Sequence, residues 1–174
     1  MYLKYITIDI LLIVIVEDVP TPSLDRKSRM SVNKQDSKEI IELEIYKNFE
    51  TFKGQKNIKI VDFLNAFNVT LFQTHKYRKI KFPYESLLKL ILFQKLKGIK
   101  FHTKLTKYLR RNPSEKFKLG FTETPDRTQI GYFANHILDE QTHKLIEFTV
   151  NKIEEISEKF GILLDVKTFQ TEKP

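Results

Sequence analysis

Apolar side chains recur mostly at intervals of three and four residues along this chain, a rhythm that predicts helices. Ile40, Ile41, Leu43, Ile45 and Phe49 stand among charged residues and predict a helix over 37–52. Gly54-Gln55-Lys56-Asn57 is a turn signal. Ile60, Val61, Phe63, Leu64 and Phe67 then form a second helical stripe, and residues 73–81 read as a polar, basic linker. From Leu87 to Leu96 the chain is apolar on nearly every side, as expected of a helix enclosed in a bundle. Pro83 suits its first turn, where a missing N–H costs nothing, and Gly98 suits a left-handed stop.

The next predicted helix, over 101–111, separates two kinds of side chain. Phe101, Leu105, Tyr108 and Leu109 fall on one side at helical spacing. Lys100, Lys104, Lys107 and Arg111 fall at i, i+4, i+7 and i+11, which at ~100° per residue places them within roughly 60° of one another. Asn112-Pro113-Ser114-Glu115 reads as an N-cap followed by a first-turn proline, and Gly120 as the end of that short helix. Thr124-Pro125-Asp126 opens the next helix in the same manner, with Ile130, Phe133, Ala134, Ile137 and Leu138 as its buried face. The longest helix runs over 139–160, striped by Ile146, Val150, Ile153 and Ile156 and stopped at Gly161. Ile162-Leu163-Leu164-Asp165-Val166 reads as a strand. The expected fold is mainly α: a helical bundle with a helix-turn-helix-like unit and a long C-terminal helix, followed by a fragmentary strand.

Residues 1–29 do not match this pattern. Their apolar run, 6–16, is interrupted by Asp9 and is shorter than the ~20 residues a membrane-spanning helix needs. It also lacks the small-residue cleavage pattern of a signal peptide, and its β-branched content reads as a strand if it is structured. The expectation is a poorly matched, spurious or disordered segment over 1–29, with Met30 as an ordinary polar start. A DNA-binding domain is expected over 30–160, and a strand-like tail or the start of a missing core over 161–174. A non-membrane, cytoplasmic protein is expected.

Composition sharpens the picture through charge. The net charge of +8 is uneven: residues 75–120 hold 14 Lys or Arg against only Glu85 and Glu115, while the flanks are neutral or acidic. A basic centre of this kind is an electrostatic footprint for a polyanion, or else a solvated lysine-rich surface. Like charges stacked at i, i+3 and i+4 repel one another along a helix, and an anion lying on them relieves the repulsion. Lys100, Lys104, Lys107, Arg110 and Arg111 are therefore candidates for phosphate contact. Arg127, Thr128, Gln129 and Tyr132, near the start of the helix that follows Pro125, are candidates for base readout, because recognition helices present their N-terminal residues to the major groove. The expected partner is double-stranded DNA.

The order of these elements resembles the N-terminal helical domain of insertion-sequence DDE transposases. That family shows an apolar helix, a glycine, a helix of the type x-x-x-L-x-x-x-L, then L-G-F or L-G-L, a proline, a small hydroxyl residue and a phenylalanine. This chain has 87–96, Gly98, Leu105 and Leu109, Leu119-Gly120-Phe121, Pro125, Thr128 and Phe133, a likeness covering roughly 84–160. It departs where family members place an arginine before the phenylalanine, since Tyr132 stands there. The resemblance implies binding to insertion-element ends as part of a truncated or split transposase, as a homodimer or with a separately encoded catalytic part. A free-standing helix-turn-helix regulator and a helical protein-interaction module are the alternatives.

Catalytic chemistry is sparse. A complete DDE enzyme holds two divalent metals such as Mg²⁺ with three carboxylates. Asp165, at the end of the predicted strand, is a weak candidate for the first, but its surroundings lack the family's Asp, small residue, Thr order. The chain has no cysteine, and its four histidines show no metal-ligand spacing with acids beyond Asp139 and His143 at i, i+4. Phosphate-binding glycine loops and nucleophile elbows are likewise missing from the sequence. The chain by itself is therefore expected to be inactive as an enzyme and to need no cofactor.

Overall fold

The computed structural model describes the backbone of residues 26–72 and 80–165, and the side chains of residues 36–72 and 80–165. The chain divides into two units, Met1–Asp36 and Ser37–Pro174. In the first, helical backbone is described from Arg26 onward, and the apolar run over 6–16 lies outside the described residues, as does most of the linker over 73–81.

The elements in order are α1 (Arg26–Thr51), β1 (Asn57–Ile58), α2 (Ile60–Ala66), a 3-10 turn (Val69–Phe72) and α3 (Tyr84–Leu96). They continue with α4 (His102–Arg111), α5 (Pro113–Lys118), α6 (Arg127–Tyr132), a π turn (Phe133–Ile137), α7 (Glu140–Phe160) and β2 (Leu163–Leu164). The molecule is thus mainly helical, with one long C-terminal helix and a short two-stranded sheet. The first helix begins earlier than the periodicity predicted, at Arg26 rather than residue 37. Of its apolar residues Ile41, Ile45 and Phe49 are buried, while Ile40 and Leu43 are exposed.

Helix α3 is the centre of the core. Leu87, Leu88, Leu90, Ile91, Leu92, Phe93 and Leu96 are all buried, so the helix is enclosed on nearly every side as its sequence predicted. Its end is a left-handed turn: Gly98 has φ +68°, and the Ile99 N–H reaches back to the Gln94 carbonyl at 3.0 Å. That bonding satisfies carbonyls the helix would otherwise leave open. The same device ends α7 at Gly161, where φ is +64°.

Two expected helix starts differ in detail. Asn112 occupies the N-cap position of α5 but makes no cap bond there; its Nδ2 donates instead to the Tyr108 carbonyl at 2.9 Å, closing α4. Helix α6 is capped by Asp126, not Thr124, because Asp126 accepts from the Gln129 N–H while Gln129 Oε1 accepts from the Asp126 N–H. This reciprocal pair satisfies two of the donors that a helix start leaves open.

The two strands are far apart in sequence and pair in parallel, Asn57 beside Leu163 and Ile58 beside Leu164. Near this pairing, α1 meets the end of α7: the Phe49 and Phe160 rings lie 5.7 Å apart, and Glu42 pairs with Lys152 at 3.4 Å. Among the described residues, no helix is long and apolar enough to cross a membrane.

Candidate nucleic-acid interface

Helix α4 is held from several directions, and its cations are what remains outside. Leu105 and Leu109 are fully buried. Thr106, also buried, donates its hydroxyl to the Pro125 carbonyl at 3.2 Å, tying α4 to the turn before α6. The Tyr108 ring lies 5.7 Å from Phe93 of α3, and its hydroxyl donates to Glu115 of α5. Burial first, and then the Glu115 carboxylate, raise the Tyr108 phenol well above its ordinary range, so it stays a neutral donor. At the N-terminal end, His102 Nδ1 meets Gln94 Oε1 at 3.1 Å.

Lys100, Lys104, Lys107, Arg110 and Arg111 are all exposed. None of them forms an ion pair among the described residues, whereas Lys53, Lys81, Lys118, Lys144, Lys152 and Lys159 each do. The one acid close in sequence, Glu115, is taken by Tyr108. Phe101 does not join the packed side as its spacing predicted. It is 61% exposed, and the Lys104 ammonium sits 5.8 Å from its ring centre. The physical reason is its place: Phe101 is the N-cap, with extended backbone, so the helical period does not set its direction.

The candidates on α6 are distributed differently. Arg127 and Thr128 are exposed, and Tyr132 is partly so, its ring 5.1 Å from His136. Gln129 is half-buried and its Oε1 is occupied by the capping box. Thr128, Gln129 and Tyr132 border a cleft of about 290 Å³ with Lys81, Phe82 and Phe133. Helix α6 meets α4 through Pro125 on Thr106 and near Gly131, where a side-chain Cβ would lie 3.7 Å from the His102 ring. At ~100° per residue, His102 and Thr106 stand roughly 150° around α4 from Lys104, Lys107 and Arg111, whereas Lys100 precedes the helix, before its extended N-cap Phe101. The row and the α6 candidates therefore occupy different sides of α4. Lys104, Lys107 and Arg111 share one side of the helix, and the α6 candidates do not join them.

Asp165 has a structural position that its sequence context did not reveal. Its Oδ1 accepts from the Ile60 N–H at 2.8 Å, capping α2 from 105 residues away, where Lys59 supplies no side-chain cap. Its Oδ2 and its carbonyl oxygen both accept from Lys97 Nζ, at 3.0 and 2.9 Å. Lys97 is 2% exposed at its side chain, while the other described basic residues of the central stretch are exposed or half-buried. With both carboxylate oxygens bound to protein donors and a lysine ammonium at the position a metal would take, Asp165 does not fit a metal ligand. Among the described residues, no group of three His, Asp or Glu could hold a metal ion. Asp139 instead caps α7 by accepting from the Thr142 N–H at 2.7 Å, and His143 turns its Nε2 toward the Ala134 carbonyl at 2.6 Å.

Sequence reasoning missed Lys97, which entered only as one of the 14 basic residues over 75–120. It also missed the role of Gln129, although the spacing Asp126-x-x-Gln129 is the signature of a capping box. Comparison with protein-family models, curated proteins and solved structures finds no match to this chain.

Proposed function

We propose that this protein binds double-stranded DNA by laying the outer face of α4 along the phosphate backbone. One observation carries the reading: Lys104, Lys107, Arg110 and Arg111 on a helix pinned by its other sides, with Lys100 just before it, are exposed cations with no acidic partner among the described residues. Cations without an acidic partner keep their charge available to a phosphate, and a helix already fixed in place spares the cost of ordering its backbone. Arg127 and Thr128 are the groups best exposed for base contact, in a second region that a duplex would meet only by bending or by approaching another side of α4. The biological setting we propose is the end of an insertion element, with the chain acting as the helical part of a split or truncated transposase.

A specific observation favours a second reading, a free-standing DNA-binding regulator. The strand expected to open a catalytic core is paired with β1, and Asp165 is bound to Lys97 and Ile60, so both complete the helical unit itself. Selection from a pool of random duplexes separates the two settings: recovered sites would match element ends in one and promoter-like sites in the other.

The test of DNA binding is salt dependence. Each phosphate contact adds about 0.9 to the slope of log affinity against log salt. Lys104→Ala with Lys107→Ala should weaken binding to all duplexes alike and flatten the slope by about 2. Both side chains are exposed, so the double variant should fold. A folded double variant with unchanged affinity and slope would show the row to be solvated surface only.

A further inference from the structure

A second cleft, of about 460 Å³, opens where the end of α3, the start of α4, the π turn and the first turns of α7 converge. Its volume lies in the range of small-ligand sites, about 300–1,000 Å³. Four of its lining residues carry charge or ring nitrogens: Lys95, Lys100, His102 and His143. No Asp or Glu lines it, although the chain carries 22 acidic residues and α7 begins with one. Both lysines are exposed and form no ion pair among the described residues. Their positive potential is therefore not cancelled from within.

The two imidazoles are held in definite states. Gln94, itself buried, donates its amide to the Ile99 carbonyl at 3.0 Å, so its Oε1 is the acceptor and His102 Nδ1 must carry the hydrogen. His143 Nε2 lies 2.6 Å from the Ala134 carbonyl, which can only accept, so that nitrogen also carries hydrogen. In the neutral rings, His102 Nε2 and His143 Nδ1 are left as acceptors. The remaining lining includes the apolar Ile91, Ile99 and Ala134. A ligand that satisfies all of this has an anionic group for the lysines, an apolar or planar body, and N–H or O–H donors for the imidazoles.

We propose that this cleft binds a nucleoside 5′-phosphate, either free or as the phosphorylated end of a nucleic-acid strand. The phosphate sits between Lys95 and Lys100, and the nucleoside lies on Ile91, Ile99 and Ala134 with its donors toward the imidazoles. The site does not depend on duplex binding by α4, with which it shares only Lys100.

The experiment titrates the full chain with adenosine 5′-monophosphate, inorganic phosphate and adenosine separately, followed by NMR or calorimetry. Adenosine 5′-monophosphate should bind at least tenfold more tightly than either fragment. Lys95→Glu should weaken it at least tenfold, and His143→Gln, which keeps a donor for Ala134, should weaken it severalfold. The Lys104→Ala, Lys107→Ala variant should leave it unchanged, so failure here and failure of duplex binding are separable. A single-stranded oligonucleotide with and without a 5′-phosphate then assigns the source: strong phosphate dependence marks a strand end, and none marks a free nucleotide. Absence of nucleotide binding, equal binding of inorganic phosphate, or binding insensitive to Lys95→Glu in a folded variant would each overturn the proposal.

Discussion

Lys97 shows how much one side chain can tie together. Its ammonium is enclosed near the Phe93 and Tyr108 rings, each about 5.8 Å away, and neutralised by Asp165. Asp165→Ala would leave that charge buried without its partner and remove the remote cap of α2. A loss of about 3 kcal/mol is expected in urea unfolding. Lys97→Met should cost clearly less, because it removes the charge while Asp165 still accepts from Ile60; equal losses would contradict this account of the pair. His102 supplies a pH dependence. Burial lowers its pKa below the ordinary value of 6.5, so the neutral ring is favoured in the folded chain. Its contribution to stability is complete above pH ~6.5 and is lost as pH falls through the lower folded value. His102→Gln should shrink the acid-side fall in stability measured between about pH 7 and pH 5.

At the scale of elements, the turn between α5 and α6 is sensitive in a way that the turn after α1 is not. Gly120 and Gly54 both have φ near +90°, at +91° and +92°, so alanine strains either backbone. A Cβ at Gly120 would lie 2.5 Å from Ser86 Oγ of α3, whereas at Gly54 it would meet nothing within 4 Å. Gly54→Ala should cost about 1–2 kcal/mol from strain alone. Gly120→Ala should cost about 1–3 kcal/mol more from crowding, and adding Ser86→Ala should recover most of that excess. The capping box of α6 offers a second comparison. Gln129→Glu keeps an acceptor for the Asp126 N–H, so thermal stability should hold, while Asp126→Ala should lower it by about 1 kcal/mol. If Gln129→Glu abolishes site-selective DNA binding without unfolding the chain, the amide has a recognition role beyond its cap.

At the scale of the whole molecule, stretches of the second unit far apart in sequence are joined. Residues 57–60 and 163–165 meet through the parallel strand pair and the Asp165 bonds, and Ile58 and Ile162 are buried. Removing residues 161–174 should therefore lower the thermal midpoint markedly. A chain beginning at Met30 should unfold within about 5 °C of the full chain, a margin on the order of 1 kcal/mol for a protein this size. Such a chain keeps Ile41, Ile45 and Phe49, the part of α1 that packs. A larger fall on trimming the N-terminus would show that residues 1–29 stabilise the fold.

The sequence by itself determined the elements whose cause is local. Periods of three and four residues placed α4 and α7, and an apolar run between Pro83 and Gly98 placed α3, because the face a helical residue turns to the core depends on its neighbours within two turns. Gly98, Gly120 and Gly161 marked left-handed stops for the same reason, and all three have positive φ. The alignment of Lys104, Lys107 and Arg111 was also legible, since helical spacing alone sets it, while Lys100 falls before the helix. Tertiary structure decided the rest. A two-residue strand such as Leu163–Leu164 has no period to read, and its register with Asn57–Ile58 depends on a segment more than 100 residues away. Whether a lysine is solvated like Lys104 or enclosed like Lys97 depends on a distant carboxylate, which no local pattern encodes. The angle between the α4 cations and the start of α6 follows from how Thr106 and His102 pack on Pro125 and Gly131, because only the packed core sets the rotation of one helix against another.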